Sequence, residues 1–179
     1  MRQSSSLCKD ILQEIFPPIM VSSCLLGVCC RYDARHSLCY DLVNFTIPLP
    51  HISFCPEELG GLPTPRPSAN IIGGDGYDVL SGVGKVVNTL GKDVTDHFLK
   101  GAYNALSLAK SAGSAIAVMK HKSPSCGLET PYCDKPSGHG TGVTAALFAL
   151  HGIRIFELDA PDPFPSQSFL RCLKEAGKI

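Results

Sequence analysis

Three short apolar runs in this chain are each followed closely by a cysteine. MVSSC ends at Cys24, HISFC ends at Cys55, and the run AIAVM is followed by a polar turn that reaches Cys126. Short apolar runs bounded by turn residues are typical of strands in a parallel sheet, whose carboxyl ends all lie at one edge. We therefore expect the three thiols to converge. Converging thiols without an obvious fourth partner are typical of a metal or iron–sulfur site with an open coordination position.

Strand-like runs alternate with amphipathic stretches along the rest of the chain. This alternation predicts an α/β fold, a single three-layer domain with a mostly parallel sheet and its site at the carboxyl edge of the strands. A chain of 179 residues is long enough for one such domain and too short for two. We expect the domain to span residues 19–158, between an N-terminal helical extension over 1–18 and a C-terminal helical tail over 159–179 that packs on the domain. The stretch 56–76, rich in proline and glycine, is predicted to be a long functional loop.

Composition narrows the class of protein. The 16 basic residues balance the 16 acidic ones, so no face for a polyanion is expected. No run approaches the roughly 20 apolar residues of a membrane span, and charged residues interrupt the N-terminal apolar stretch, which argues against a signal peptide. We expect a soluble, cytosolic protein without a membrane partner.

Nine cysteines are many for a chain of this size. In a reducing compartment they are expected to be free thiols, metal ligands or catalytic groups rather than a disulfide framework. Three lie in amphipathic or helical stretches and are predicted to be small apolar core residues: Cys8, Cys39 and Cys172. The other six stand beside glycine, proline, serine or charged residues: Cys24, Cys29, Cys30, Cys55, Cys126 and Cys133.

A carboxylate follows the second of the three strand-end cysteines. Pro56 fixes the backbone after Cys55, so Glu57 is predicted to lie at the same edge of the sheet, where a carboxylate beside a metal site is a natural acid/base group. Glu58 is expected to point away, toward solvent. Arg66, in a rigid TPRP segment, is predicted to bind a carboxylate, a phosphate or a carbonyl oxygen, or to form a structural ion pair.

The third motif, KHKSPSCG, brings a cation, a hydroxyl and a thiol together after one strand: Lys120, Ser123 and Cys126. Stability alone does not explain this density of reactive groups. A glycine-rich segment over 137–146 then enters a helix, and the N-terminus of such a helix attracts an anion or a carbonyl oxygen. This segment matches neither the P-loop nor the dinucleotide-binding fingerprint.

Four motifs in this order, SSCLLGVCCRYD, CPEELGGLPTPRP, GKDVTDHFLKGA and SPSCG, closely resemble the thiouracil desulfidase family, from about Val21 to Phe156. The resemblance implies a [4Fe–4S] cluster held by three cysteines, with one iron free to bind the sulfur of a thiolated pyrimidine. It implies replacement of that sulfur by oxygen and release of hydrosulfide without net redox change. The substrate is then a small molecule, a thiouracil-type base, nucleoside or nucleotide, and nucleic acid enters only as thiolated RNA.

The resemblance also implies roles for particular residues. By motif position the cluster and metal ligands are Cys24, Cys55 and Cys126. Glu57 matches the acidic residue after the second cysteine, and we assign it the proton transfer. Ser123 is assigned to the substrate, and Lys120 is the further catalytic candidate. Cys30 is expected to lie beside the ligands without being one.

Two other classes of function remain open at this point. One is a zinc hydrolase that uses the same three thiolates, with Glu57 as the base. The other is a nucleotide- or metabolite-binding module without catalysis, in which the glycine-rich loops hold the ligand and the thiols are incidental.

Overall fold

A parallel sheet lies at the centre of the computed structural model, which describes residues 17–46 and 49–176. In chain order the strands are β1 (Ile19–Ser22), β2 (His51–Phe54), β3 (Ala69–Ile72), β4 (Lys85–Asn88), β5 (Ile116–Lys120) and β6 (Arg154–Leu158). The helices are α1 (Tyr40–Thr46), α2 (Pro56–Leu59), α3 (Gly76–Leu80), α4 (Thr95–Ser111), α5 (Val143–Leu150) and α6 (Gln167–Glu175). A single 3₁₀ turn, Ser23–Leu26, follows β1 directly.

The central sheet has the order β2-β1-β5-β6, and its three strand pairs are all parallel. From β1 the chain adds β2 on one side and later β5 and β6 on the other. The order therefore reverses next to β1, and ligands bind at such switch points, outside the carboxyl ends of the strands. A separate antiparallel pair, β3 with β4, lies outside this sheet.

Helices cover both faces of the sheet, because successive side chains of a strand point to opposite faces. Met20 of β1 lies in one apolar core with Phe98 of α4 and residues of α5. Its neighbours Ile19 and Val21 lie in a second core with residues of α1 and α6. The predicted α/β domain with three layers and a mostly parallel sheet is confirmed.

The segment after β2 differs from the prediction. The long loop expected over 56–76 contains α2 and β3. Proline at the first helical position and two acidic residues in the first turn favour a helix start. A helix of four residues is too short to show an apolar period, so the pattern of the sequence does not reveal it.

The C-terminal tail contributes α6, which buries Phe169, Cys172 and Leu173 in the second core. The predicted N-terminal helix over 1–16 lies outside the described residues, and the predicted domain limits stay a prediction. Among the described helices, none is long and apolar enough to cross a membrane.

Helix α2 lies directly on α4, backbone against backbone. A Cβ atom added at Gly101 would overlap the carbonyl oxygen of Pro56, and one added at Gly60 would overlap that of His97. The His97 ring also hydrogen-bonds to the Gly60 carbonyl oxygen, with Nδ1 and O 2.9 Å apart. The two glycines therefore fix the position of α2, and with it the segment that begins at Cys55.

We predict that Gly101→Ala destabilises the protein. In an exposed helix interior this change stabilises by about 0.5–1 kcal/mol, but here the methyl group forces α2 away from α4, at a cost of about 1–3 kcal/mol. Urea unfolding monitored by circular dichroism measures the difference. Ser107→Ala, at an exposed position of the same helix, is the control and should change stability by less than about 0.5 kcal/mol. A stabilised Gly101→Ala variant would contradict the close contact.

Candidate functional site

A cavity of about 380 Å³ opens at the carboxyl edge of the sheet. All six residues that the sequence analysis assigned to the site line it: Cys24, Cys55, Glu57, Lys120, Ser123 and Cys126. Lys120 ends β5, and the other five come from the segments that follow β1, β2 and β5, which are adjacent in the sheet. The parallel pairing of these strands therefore brings together residues that are far apart in sequence.

The local backbone aims the three strand-end thiols into the cavity. Cys24 lies in the 3₁₀ turn after β1, Cys55 is the residue before the first turn of α2, and Cys126 lies in the turn after β5. Cys24 and Cys126 are buried and Cys55 is half-buried. A fourth thiol, that of Cys30, is also buried and lines the same cavity.

The possible metal ligands that lie closest together are not the three cysteines predicted from the sequence. The Sγ atoms of Cys30 and Cys55 and a carboxylate oxygen of Glu58 all lie within 4.8 Å of one another. Glu58 is exposed, as expected, and lies outside the residues that line the cavity, yet one of its carboxylate oxygens comes close to two of the thiols. The first turn of α2 follows Cys55 and carries Glu57 to the cavity wall and Glu58 to the exposed side.

Crowding and burial keep these thiols protonated. The Cys24 thiol beside it and burial raise the pKa of Cys30 to about 12. The Cys30 thiol and then burial raise the pKa of Cys55, and burial is the main cause that raises the pKa of Cys126. Thiolates form in such a place when a cationic group compensates their charge. The cavity is therefore suited to a group that contains thiophilic metal ions, which supply the compensating positive charge.

Arg66 connects the first two motifs. Its Nε donates to Glu57 Oε2 at 2.6 Å, and its Nη2 donates to the Cys30 carbonyl oxygen at 3.0 Å. Nη1 donates to Thr64 Oγ1 at 2.9 Å, and Nη2 lies 4.0 Å from Cys55 Sγ. Of the roles left open by the sequence, the structure shows the ion pair, which Arg66 forms with Glu57, together with a hydrogen bond to a carbonyl oxygen of the chain. The guanidinium group orients the Glu57 carboxylate and stabilises negative charge near Cys55.

Lys120 is engaged by a residue that the sequence analysis missed. Its Nζ lies 2.8 Å from Asp159 Oδ1 and also donates to the His121 carbonyl oxygen at 3.0 Å. Burial opposes ionisation of Asp159, but Lys120 prevails and lowers the pKa of that carboxyl. Asp159 directly follows β6, so it lies at the same carboxyl edge of the sheet as the strand-end cysteines.

Ser123 shapes the turn that presents Cys126. Its Oγ accepts hydrogen bonds from the backbone N–H groups of Ser125, at 3.2 Å, and Cys126, at 3.1 Å. Since the oxygen acts as acceptor in both bonds, the hydroxyl hydrogen remains able to donate into the cavity.

The N-terminus of α5 is occupied by the chain itself. The N–H of Val143 donates to the Pro124 carbonyl oxygen at 2.9 Å, and that of Thr144 donates to the Ser125 carbonyl oxygen at 2.9 Å. Of the two ligands predicted for this helix start, an anion or a carbonyl oxygen, the structure shows the second. The helix thereby supports the Cys126 turn rather than a ligand phosphate.

The other cysteines lie elsewhere. Cys133 is half-buried, and its Sγ donates to the Thr130 carbonyl oxygen at 3.4 Å, outside the residues that line the cavity. Cys39 and Cys172 are buried in the second apolar core, in agreement with the prediction. Cys29 is exposed, and Cys8 lies outside the described residues.

Fold and site together define an α/β protein with a thiol-lined cavity at the switch point of a parallel sheet, a setting for metal- or cluster-dependent chemistry. Residues 19–159 match the sequence model of the family described as 2-thiouracil desulfurase. The chain therefore belongs to the 2-thiouracil desulfurase family, which confirms the resemblance inferred from the motifs.

The chain is also similar to two known proteins. The chain is 42% identical over 140 residues to the uncharacterized protein YbbK of Bacillus subtilis (strain 168), a match that covers 76% of this chain and 93% of that protein. Among solved structures it is similar to a [4Fe–4S]-dependent thiouracil desulfidase, TudS. The TM-score is 0.69 at 35% identity, and the match covers 87% of this chain and 98% of the other.

We predict that Arg66→Met destabilises the protein by about 3 kcal/mol, because it leaves the Glu57 carboxylate in a largely buried place without its partner. The two side chains of this pair are only 3% and 17% exposed. Arg154→Met is the matched control, since its ion pair with Glu175 is 59% and 58% exposed and should contribute less than about 1 kcal/mol. Urea denaturation of both variants gives the comparison, and equal losses would contradict the bridging role of Arg66.

Proposed function

We propose that this protein replaces the sulfur of a thiolated pyrimidine, of the thiouracil type, by the oxygen of water and releases hydrosulfide, with a [4Fe–4S] cluster as its cofactor. The observation on which the proposal chiefly rests is the convergence of Cys24, Cys55 and Cys126 in one cavity of a member of this family. The similarity to the [4Fe–4S]-dependent thiouracil desulfidase supports it. We also propose a cytosolic location, where eight described cysteines without a disulfide fit a reducing environment.

The residues present fit a cluster of this kind. Thiolates are the usual ligands of iron–sulfur clusters, and the cavity offers Cys24, Cys55 and Cys126 on three separate segments. The raised pKa values of Cys55 and Cys126 mean that a cationic group is needed to hold these thiolates. When bound through three thiolates, the cluster supplies a sulfur-binding iron with an open coordination position.

We propose that Glu57 transfers the protons of the reaction. The carboxylate lines the cavity, and Arg66 holds one of its oxygens at 2.6 Å, which fixes its direction. Exchange of sulfur for oxygen takes a proton from water and delivers one to the ring nitrogen or the departing sulfur. A carboxylate held at the wall of the cavity can do both.

We propose that Lys120, at the end of β5, and Ser123, in the turn that follows it, also act on the substrate. The Ser123 hydroxyl donates to a polar atom of the pyrimidine ring, since its oxygen already accepts two backbone N–H groups. Lys120 adds positive charge at the same wall, balanced by Asp159.

The ligand assignment predicts that replacing Cys24, Cys55 or Cys126 by alanine abolishes cluster binding and activity, because two thiolates do not hold the cluster. Iron and acid-labile sulfide in anaerobically reconstituted protein measure this directly. Cys133→Ala is the control, as this thiol lies outside the cavity, and should keep both. Loss of the cluster in Cys133→Ala together with retention in Cys55→Ala would overturn the assignment. Full activity with zinc and no iron would select a zinc hydrolase instead.

Glu57→Gln should separate cluster assembly from turnover. The amide keeps the size and part of the hydrogen bonding to Arg66 but does not exchange a proton near neutral pH. We expect normal iron content, near-normal binding of thiouracil, and turnover lowered by about 10²–10⁴. Glu129→Gln, at an exposed carboxylate after the Cys126 turn, should retain turnover. Near-normal turnover in Glu57→Gln would move the proton transfer to Ser123 or Lys120, and loss of iron would make Glu57 a structural residue.

A further inference from the structure

Cys30 is a buried thiol, 2% exposed, that the proposed reaction does not use. Its Sγ, the Sγ of Cys55 and a carboxylate oxygen of Glu58 lie within 4.8 Å of one another. Within residues 17–46 and 49–176, this is the one group of three thiol, imidazole or carboxylate ligands found at such close range. The group shares Cys55 with the trio proposed for the cluster, but the other two members are different.

The spacing suits a single ion. Around a tetrahedral zinc ion, sulfur ligands at about 2.3 Å from the metal stand about 3.8 Å from one another. The three ligand atoms lie within 4.8 Å of one another, which exceeds that separation by about 1 Å at most. A four-iron cluster is larger than one ion, and its ligands come from a wider set of positions. The compact group and the wider trio thus favour different metal centres.

The charges and hydrogen bonds around the group also suit a divalent ion. Two thiolates and one carboxylate bring three negative charges, of which Zn²⁺ compensates two. The guanidinium group of Arg66, which is already paired with Glu57, also lies near this group, with Nη2 4.0 Å from Cys55 Sγ.

The carboxylate is already oriented by a neighbour. Thr64 Oγ1 donates to Glu58 Oε1 at 2.7 Å, which holds the carboxylate in place, and an ionised carboxylate keeps further lone pairs for a metal. Hydrogen bonds of this kind orient metal ligands and raise affinity. Glu58 is exposed, which leaves the fourth position of the ion open to water.

We propose that, in the cluster-free protein, Cys30, Cys55 and Glu58 form a mononuclear site for a thiophilic divalent ion such as Zn²⁺, and that this ion competes with the [4Fe–4S] cluster for Cys55. The ion site is inferred from the spacing of these three residues alone, and only the competition rests on the proposed function. Zinc bound there withholds one of the three cluster ligands. Cluster assembly then requires release of the ion.

Titration of the anaerobic, reduced, cluster-free protein with Co²⁺ tests the site, with Zn²⁺ as the displacing ion. We expect one equivalent to bind, with thiolate-to-cobalt charge-transfer absorption of the intensity of two thiolates. Cys30→Ser and Glu58→Gln should each weaken Co²⁺ binding by about tenfold or more. Because Glu58 is exposed, its variant tests the site even if Cys30→Ser fails to fold. Cys126→Ser and Glu129→Gln are the controls and should bind Co²⁺ normally.

The outcomes separate this inference from the proposed function. Loss of Co²⁺ binding in Cys126→Ser, with retention in Cys30→Ser and Glu58→Gln, would overturn the site in favour of the wider trio.

A second experiment tests the competition: protein preloaded with Zn²⁺ is reconstituted with iron and sulfide. Wild type should gain cluster more slowly than without zinc, and Glu58→Gln should be less affected. Equal inhibition in both proteins would overturn the competition, whereas absence of a cluster in every sample would refute the proposed function and leave the Co²⁺ result standing.

Discussion

The parallel pairing of β1 with β2 on one side and β5 on the other is the constraint on which the site depends. The register joins Ile19 to His51 and Met20 to Ala117, so the three strands end at one edge. A shift of one residue in either pair would move the apolar side chains of β1 to the wrong core and displace a cysteine from the cavity. The burial of β1, whose four residues are all buried, therefore stabilises both the fold and the convergence of the thiols.

Close backbone packing supplies the precision that strand pairing alone does not give. Gly60 and Gly101 let α2 rest on α4 without intervening side chains, and this fixes Cys55. On the other side, Gly142 lies against the carbonyl groups of the Cys126 turn, where a Cβ would overlap the Ser125 backbone. Both turns that present thiols are thus held by contacts that only glycine permits. The geometry of the site is a property of the surrounding helices as much as of the loops.

The sequence predicted the strand ends well and the short-range geometry poorly. Cys24 and Cys55 were placed correctly because apolar runs and parallel topology together leave one edge for their side chains. Asp159 was missed because its place at this edge depends on where β6 ends, at Leu158, and periodicity does not resolve the last residue of a strand. The partner of Arg66 was left open for a similar reason. Its hydrogen bond to the Cys30 carbonyl oxygen crosses from one motif to another, and pairing across the fold is not encoded in local pattern.

Charge pairing in the cavity determines what kind of occupant it accepts. The carboxylate of Glu57 is matched by Arg66, and the ammonium group of Lys120 is matched by Asp159. These two pairs are each internally neutral, so the thiols add negative charge to the cavity once they ionise. A cationic metal centre is stabilised there, and a neutral heterocycle approaches it without an electrostatic penalty. Because Cys55 belongs both to the compact group with Cys30 and to the wider trio, the identity of that centre is decided by ligand spacing rather than by charge.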